Sequence, residues 1–305
     1  MSIKDFFRDE WAGVAGAWER WGPAVRRQSA AATAWLLALA QVPPGALVLD
    51  LASGTGDPAL ALAREVGPAG RVVATDLVEG ALQFTARAAA AAGLANVVTR
   101  VADMEALPFG DASFDAITCR LGLMFCPHPE RALAEARRVL RPGGRAAFVV
   151  WGSPSQPLFA ATLGQVRQAF AARASSEERV EGRSAPHRPP ERDHDSAPGP
   201  FRFADPADLA RLLGAAGFAD AQAQQRVVPW PFAGSGAELW RMFVDLGGPA
   251  LQAQLHTLDA AARRALDDGI AAALDARRID GDTTDPGAWL VGAVGRRPPG
   301  AGAPP

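Results

Sequence analysis

The sequence predicts an α/β protein built on a mostly parallel sheet. Three observations carry this. Short apolar runs of strand length recur between helical stretches, each run is bounded by turn signals, and several end on an aspartate. Strands alternating with helices at this pitch form βαβ units, which bury a parallel sheet between helical layers.

Residues 3–40 read as helix studded with Phe7, Trp11, Trp18, Trp21 and Trp35, and Gly22-Pro23 predicts a break into two pieces. Pro43-Pro44-Gly45 ends the stretch, and 46–51 (ALVLDL) is the first buried strand. A helix follows over 58–66, a strand over 71–75, an Ala-rich helix over 79–92, and strands over 96–101 and 114–119. The helix predicted for 129–140 stops at Arg141-Pro142-Gly143-Gly144, and 145–151 is the fifth strand. Helix is expected over 158–173. Residues 174–200, rich in Ser, Pro, Arg, Glu and His and without apolar periodicity, are expected to lack structure. Order returns at 205–216, where Asp205 can cap a helix whose first position is Pro206. A strand over 221–228, helices over 237–246 and 252–277, and a last strand over 288–296 complete the pattern. The chain thus divides into an N-terminal helical cap (1–42), a core (43–151), an insertion (152–204), a second half of the sheet carrying a helical lid near 235–277 (205–297), and a flexible tail (298–305).

Composition narrows the chemistry. The 305 residues are 49% hydrophobic and 21% charged with a net charge of −2, which suits a globular chain and lacks the basic excess of a nucleic-acid binder. The longest apolar run, 29–42, is too short to span a bilayer. The N-terminus does not read as a signal peptide, so a cytoplasmic protein with reduced Cys119 and Cys126 is expected. Two cysteines and four histidines (His128, His187, His194, His256) form no metal-ligand pattern, and the absence of tyrosine excludes any mechanism needing one. Lys4 is the only lysine.

The informative segment is Val48-Leu49-Asp50-Leu51-Ala52-Ser53-Gly54-Thr55-Gly56-Asp57-Pro58, a strand entering a glycine turn that opens a helix. Glycine lets the backbone turn sharply and lets a ligand lie against it. Read loosely, Gly54-x-Gly56-x-x-Ala59 with Asp76 about twenty residues on matches a dinucleotide fingerprint. Charge separates the readings: Asp50 and Asp57 would repel a pyrophosphate and suit a cationic ligand, such as the ammonium and sulfonium of S-adenosylmethionine. Asp76 is placed to accept two hydroxyls of a ribose, which either cofactor offers. Asp103 follows the third strand, where a carboxylate can accept from an adenine amino group while Met104 packs on the ring. Asp50, Asp76 and Asp103 close three successive strands, so all three project at one edge of the sheet, where open α/β folds bind ligands. Capping of the following helices would explain one such acid more easily than three.

LDLASGTGDPALALA, VVATD, VADMEALPF, FDAITCRLGLMF and RVLRPGG together resemble the class I S-adenosylmethionine-dependent methyltransferases, in particular the ubiquinone/menaquinone C-methyltransferase subgroup, over about 45–151. The resemblance implies a Rossmann-like, seven-stranded, mostly parallel sheet of order 3-2-1-4-5-7-6 with strand 7 antiparallel, flanked by helices and helical lid elements. It also implies that Asp50, Gly54 and Gly56 hold the methionine part of the cofactor, with Ala52, Thr55 and Leu77 also among the cofactor-binding residues. Asp76 would take the ribose, Asp103 with Met104 the adenine, and Cys119 and Arg120 would lie beside the methyl group. Residues 152–305 match only in outline, and the long insertion departs from compact quinone enzymes.

Methyl transfer from a sulfonium is an in-line displacement in which the cofactor carries the difficult chemistry and the protein positions and desolvates. No nucleophile or metal is needed. His128 is the one candidate base beside the cofactor edge, although a His between prolines more often caps a helix. Trp18, Trp21, Trp230, Trp240 and Phe243 are candidates for an apolar acceptor site, against the alternative that such aromatics are core. The expected partner is a small-molecule methyl acceptor, a quinone precursor or aromatic natural-product-like metabolite, with no nucleic acid; a homodimer is compatible with the sequence. The competing readings are a nicotinamide-dependent oxidoreductase and a non-catalytic S-adenosylmethionine-binding regulatory protein.

Overall fold

A computed structural model describes residues 2–181 and 197–299. The disorder expected within 174–200 therefore falls largely outside the described residues, as does most of the tail expected to be flexible. The elements run α1 (Ile3–Gln28), α2 (Ala30–Ala40), β1 (Leu47–Leu51), α3 (Ala59–Val66), β2 (Arg71–Asp76), α4 (Glu79–Ala91), β3 (Val97–Val101), β4 (Phe114–Arg120), α5 (Pro129–Val139) and β5 (Leu140–Trp151). They continue with α6 (Pro157–Phe159), α7 (Gln165–Glu181), α8 (Pro206–Ala215), β6 (Ala219–Val228), β7 (Phe232–Ala233), α9 (Gly236–Leu246), α10 (Gly248–His256), α11 (Ala260–Asp275), β8 (Arg278–Asp280), β9 (Thr283–Thr284) and β10 (Ala288–Arg296).

The main sheet has seven strands in the order β3-β2-β1-β4-β5-β10-β6. β10, its seventh strand in chain order, runs antiparallel to both β5 and β6, while β1 to β5 pair in parallel. The expected order and the expected reversed strand are both present. Apolar side chains pack on both faces of the sheet. One layer gathers Leu36, Leu62, Val149 and Leu290 with the helices α2, α3, α9 and α11. The other gathers Ile117, Leu133, Phe148 and Leu209 with α5 and α8. Gly292 in β10 has a packing reason: a Cβ there would lie 2.4 Å from the Trp35 ring of α2.

Four local expectations are corrected. α1 is one continuous helix through Gly22-Pro23 and turns only at Ser29. Proline frees the carbonyl of Glu19, but both residues are exposed, so water can satisfy it. Helix α7 extends to Glu181, past the expected end at 173, consistent with its Ala, Arg and Glu content. The helix expected over 252–277 is two, because Asp259 caps α11 by accepting from the Ala261 and Ala262 N–H groups, both at 2.9 Å. A small sheet of order β7-β9-β8 was not anticipated. Its strands are only two or three residues long, too short for a periodic signal. Among the described residues no helix is long and apolar enough to cross a membrane.

Candidate active site

β1 delivers the chain into a loop whose backbone takes left-handed values at Ala52 (φ 53°), Gly54 (φ 55°) and Gly56 (φ 106°). The loop is tied to β2 by the Ser53 N–H donating to the Thr75 carbonyl and the Gly54 N–H donating to Asp76 Oδ2, both at 2.9 Å. The two glycines do different work. A Cβ on Gly54 would meet nothing within 4 Å, because that face forms the open floor of a cleft. A Cβ on Gly56 would lie 2.5 Å from Leu60 Cδ1 and 3.4 Å from the Thr85 backbone, so Gly56 serves packing behind the loop.

The strand-end acids also separate. Asp76 lines the cleft; Oδ2 takes the Gly54 N–H and Oδ1 the Val78 N–H at 3.0 Å, leaving a lone pair on each oxygen. Burial pushes its pKa above the ordinary value, only partly opposed by those backbone N–H groups. Asp103 also lines the cleft and accepts from Lys4 Nζ at 2.6 Å. Asp50 does not reach the cleft. It is 0% exposed, lies behind the loop, and accepts the hydroxyls of Ser53 and Thr118, each at 2.7 Å. Burial, against the pull of those hydroxyls, raises its pKa to about 7.

Asp57 faces the cleft, but its charge is met inside the protein. Arg120 Nη1 donates to Asp57 Oδ2 at 2.5 Å, to Ser29 Oγ at 2.7 Å and to Thr33 Oγ1 at 2.6 Å, and Nη2 donates to the Asp57 carbonyl at 3.0 Å. This knot joins the loop, β4 and the α1–α2 junction. It also removes the simple charge argument against a pyrophosphate, since Asp50 is held behind the loop and Asp57 is paired.

α1 roofs the cleft along its whole length. Lys4, Phe7, Trp11, Trp18, Val25 and Ser29, three to seven residues apart on one helical face, all line it. At one end Lys4 holds Asp103 and, at 2.9 Å, Glu105. Burial disfavours the ammonium, but the hydrogen bonds it donates to the two carboxylates, with their charge, outweigh this and raise the Lys4 pKa. At the other end Ser29 joins the Arg120 knot. Between them the cavity, about 580 Å³, widens into an aromatic chamber. Trp11 packs edge-on to Phe125 at 5.2 Å and Trp151 to Trp230 at 5.0 Å, while Phe159, Met242 and Phe243 fill the far wall.

Of the residues singled out from sequence, Ala52, Gly54, Thr55, Asp76, Leu77, Asp103, Met104, Arg120, Trp18, Trp230 and Phe243 line this cleft. Asp50, Gly56, Cys119, His128, Trp21 and Trp240 do not. Cys119 is 1% exposed behind the sheet edge, where burial pushes its thiol up to about 12. His128 has an exposed side chain 3.4 Å from Glu130, and only its backbone N–H turns inward, to Glu105 at 3.0 Å. Trp21 and Trp240 spend their indole N–H groups on Asp245 (2.8 Å) and Asp267 (2.7 Å) outside the cleft. Lys4 and Asp57, and the chamber residues Trp11, Phe125, Trp151 and Phe159, were not singled out as site residues. Asp57 is visible in the loop motif, but nothing in a local pattern places Lys4 against Asp103. Among the described residues no group of three or more His, Cys, Asp or Glu is arranged to hold a metal ion.

Comparison with known proteins gives a concordant result. The methyltransferase domain family matches residues 48–144. The ubiquinone/menaquinone biosynthesis C-methyltransferase of Ralstonia pickettii is 43% identical over 122 residues, 40% of this chain and 50% of that protein. The corresponding Bordetella avium protein is 41% identical over 125 residues, 41% of this chain and 48% of its own length. The chain thus spans about half the length of the curated relatives it matches. Among solved structures, the YcgJ protein of Bacillus subtilis superposes with a TM-score of 0.53 at 20% identity, covering 88% of this chain and 98% of its own. Phosphoethanolamine N-methyltransferase 2 of Haemonchus contortus, in complex with S-adenosyl-L-methionine, gives a TM-score of 0.55 at 15% identity over 98% of this chain and 60% of that one. At those identities the structures speak for the fold. The sequence match over residues 48–144 is thus to the methyltransferase domain family, and the strand order and the solved structures agree with it on the fold.

Proposed function

We propose that the chain transfers a methyl group from S-adenosylmethionine to a small, flat, largely apolar acceptor such as a quinone precursor or aromatic metabolite. The observation that carries this is the continuity of one cavity, from polar strand ends at Gly54, Asp76 and Asp103 into an aromatic chamber. A nucleoside suits the first part and an apolar ring the second.

The residues present fit the cofactor. The bare face of Gly54 offers room for it against the loop, and Asp76 keeps two lone pairs for ribose hydroxyls. Met104 and Leu77 supply apolar surface beside Asp103 for a base. When bound, the cofactor supplies a methyl group on a sulfonium, an electrophile that needs no further activation. The protein then has to align the acceptor and keep water out. α1 and the chamber aromatics do so by closing the cleft above the strand ends. Among the lining residues there is no histidine, and the carboxylates are each engaged by an N–H, a hydroxyl or a cation. The acceptor is therefore taken to enter as a phenolate whose proton has already gone to solvent, and the methyl group leaves the sulfonium with the S–C electron pair kept by sulfur.

Calorimetric titration with S-adenosylhomocysteine, and with NAD and NADP in parallel, tests the reading. Saturable micromolar binding of S-adenosylhomocysteine alone is expected. Binding of a nicotinamide cofactor alone would overturn it. Turnover of the loaded protein on phenolic and quinol acceptors then separates an enzyme from a cofactor-binding regulator.

A further inference from the structure

Three cationic side chains line the cleft: Lys4, Arg26 and Arg120. Two are spent inside the protein. Lys4 holds Asp103 and Glu105, while Arg120 gives both terminal nitrogens to the Asp57 knot and keeps only a buried Nε. Arg26 differs. It is half-buried and forms no ion pair or side-chain hydrogen bond among the described residues. Gly22, Arg26 and Ser29 follow one another at helical spacing on α1, so they share a face, and all three line the cleft together with Gly54 and Thr55. A Cβ on Gly22 would lie 3.3 Å from Arg26 Nη1, tighter than ordinary contact, so the bare glycine lets the guanidinium lie back along the roof. A basic residue in the last turn of a helix also meets the helix dipole, but the exposed Arg27 beside it does that from solvent.

We propose that Arg26 holds the carboxylate of the cofactor's amino-acid end, and so makes the protein select a cofactor that carries one. The inference rests on the methyltransferase reading for the identity of the cofactor, but the unpaired cation beside the glycine loop is an independent observation. A carboxylate brought into this end of the cleft leaves water and has to be paired. Asp57 and Asp76, which line the same end, repel it, and the Arg120 charge is already matched by Asp57. Arg26 is the cation left over. Its planar fork can meet both oxygens of a carboxylate at once, which an ammonium cannot do.

The test uses two probes titrated calorimetrically into the intact chain: S-adenosylhomocysteine and 5′-(3-aminopropylthio)-5′-deoxyadenosine, the same molecule without its carboxylate. Wild type is expected to bind S-adenosylhomocysteine at least about tenfold more tightly, the usual worth of a charged hydrogen-bonded contact. Arg26→Met should bring S-adenosylhomocysteine down to the affinity of the aminopropyl probe, while the probe itself stays within about twofold. A loss of packing alone would weaken both alike and leave the preference standing. Arg26→Lys, which keeps the charge and loses the fork, should retain part of the preference. Arg64→Met is the control: Arg64 does not line the cleft and donates to the Leu60 carbonyl at 3.3 Å, so the full preference should persist. Arg26→Gln gives a second neutral variant should Arg26→Met fail to fold. Equal affinities in wild type, or a preference that survives in the neutral variants, would overturn the Arg26 assignment alone. Failure of S-adenosylhomocysteine to bind wild type would instead overturn the methyltransferase reading and take the assignment with it.

Discussion

Replacing Arg120 by Met should destabilise the protein by about 3–5 kcal/mol, the usual consequence of leaving one member of a buried ion pair alone. Arg120 and Asp57 are 7% and 13% exposed as side chains, so neither is well hydrated. Arg120 makes four donor contacts at this junction, to Ser29, Thr33 and Asp57, and in their absence Asp57 keeps only hydroxyl partners. Hydrogen bonds from those hydroxyls cannot replace a cation in so dry a place. The double replacement Arg120→Met, Asp57→Asn removes both charges and should recover most of the loss, because the penalty lies in the stranded carboxylate rather than in a missing attraction. Urea unfolding at 25 °C of wild type, both single variants and the double variant closes the cycle. A coupling under about 1 kcal/mol would refute the reasoning and place the pair with weak surface contacts.

Other expectations follow from the same geometry. Asp76→Ala should weaken S-adenosylhomocysteine binding at least tenfold, about 1.4 kcal/mol, in a folded protein; unchanged calorimetric affinity would remove Asp76 from the ribose. Gly54→Ala should impair that binding with only about 1 kcal/mol of strain, whereas Gly56→Ala, driven against Leu60, should lower the melting temperature more than it affects affinity. The opposite pattern would exchange the roles of the two glycines. Asp50 titrates near 7 when folded and near 4 when unfolded, so the folded chain holds a proton the unfolded chain has released between those values. Stability should accordingly fall as pH rises through that window, by on the order of 4 kcal/mol, and Asp50→Asn should flatten the slope. Equal urea midpoint shifts between pH 5 and pH 8 in both proteins would assign the dependence elsewhere.

The sheet was legible because its signals are local: the short apolar run of β1 needs no knowledge of the rest of the chain, although the turn expected at 141–144 is instead the beginning of β5, which starts at Leu140. Strand ends also set which edge carries Asp76 and Asp103. What spacing could not give was the direction of a side chain once it left the strand. Asp50 precedes the loop by two residues yet points behind it, because the Ser53 and Thr118 hydroxyls are there to receive it. Trp18 and Trp21 are three residues apart, but one faces the chamber and the other faces Asp245 in α9, a partner more than two hundred residues away. Pro23 looked like a helix end because the pattern of a breaker carries no information about solvent, and solvent is what lets α1 continue. The Lys4 contact with Asp103 is wholly tertiary.

α1 is a single rod of 26 residues, about 39 Å long, fixed to the loop at Ser29 and to the third strand's acids at Lys4. Such a rod acts as a lever with its fulcrum at the α1–α2 junction. A rotation of about 10° there displaces the Lys4 end by about 7 Å while the Ser29 end scarcely moves. The Lys4 end cannot swing on the loss of its two ion pairs alone, because α1 is also held midway, by Glu10 to the Ala250 N–H, by Glu19 to Arg87 and by Arg20 and Trp21 to Asp245. Uncovering the cleft therefore needs α9, α10 and α4 to let go of the rod together, and the Lys4 end then has the widest clearance and the Ser29 end the narrowest.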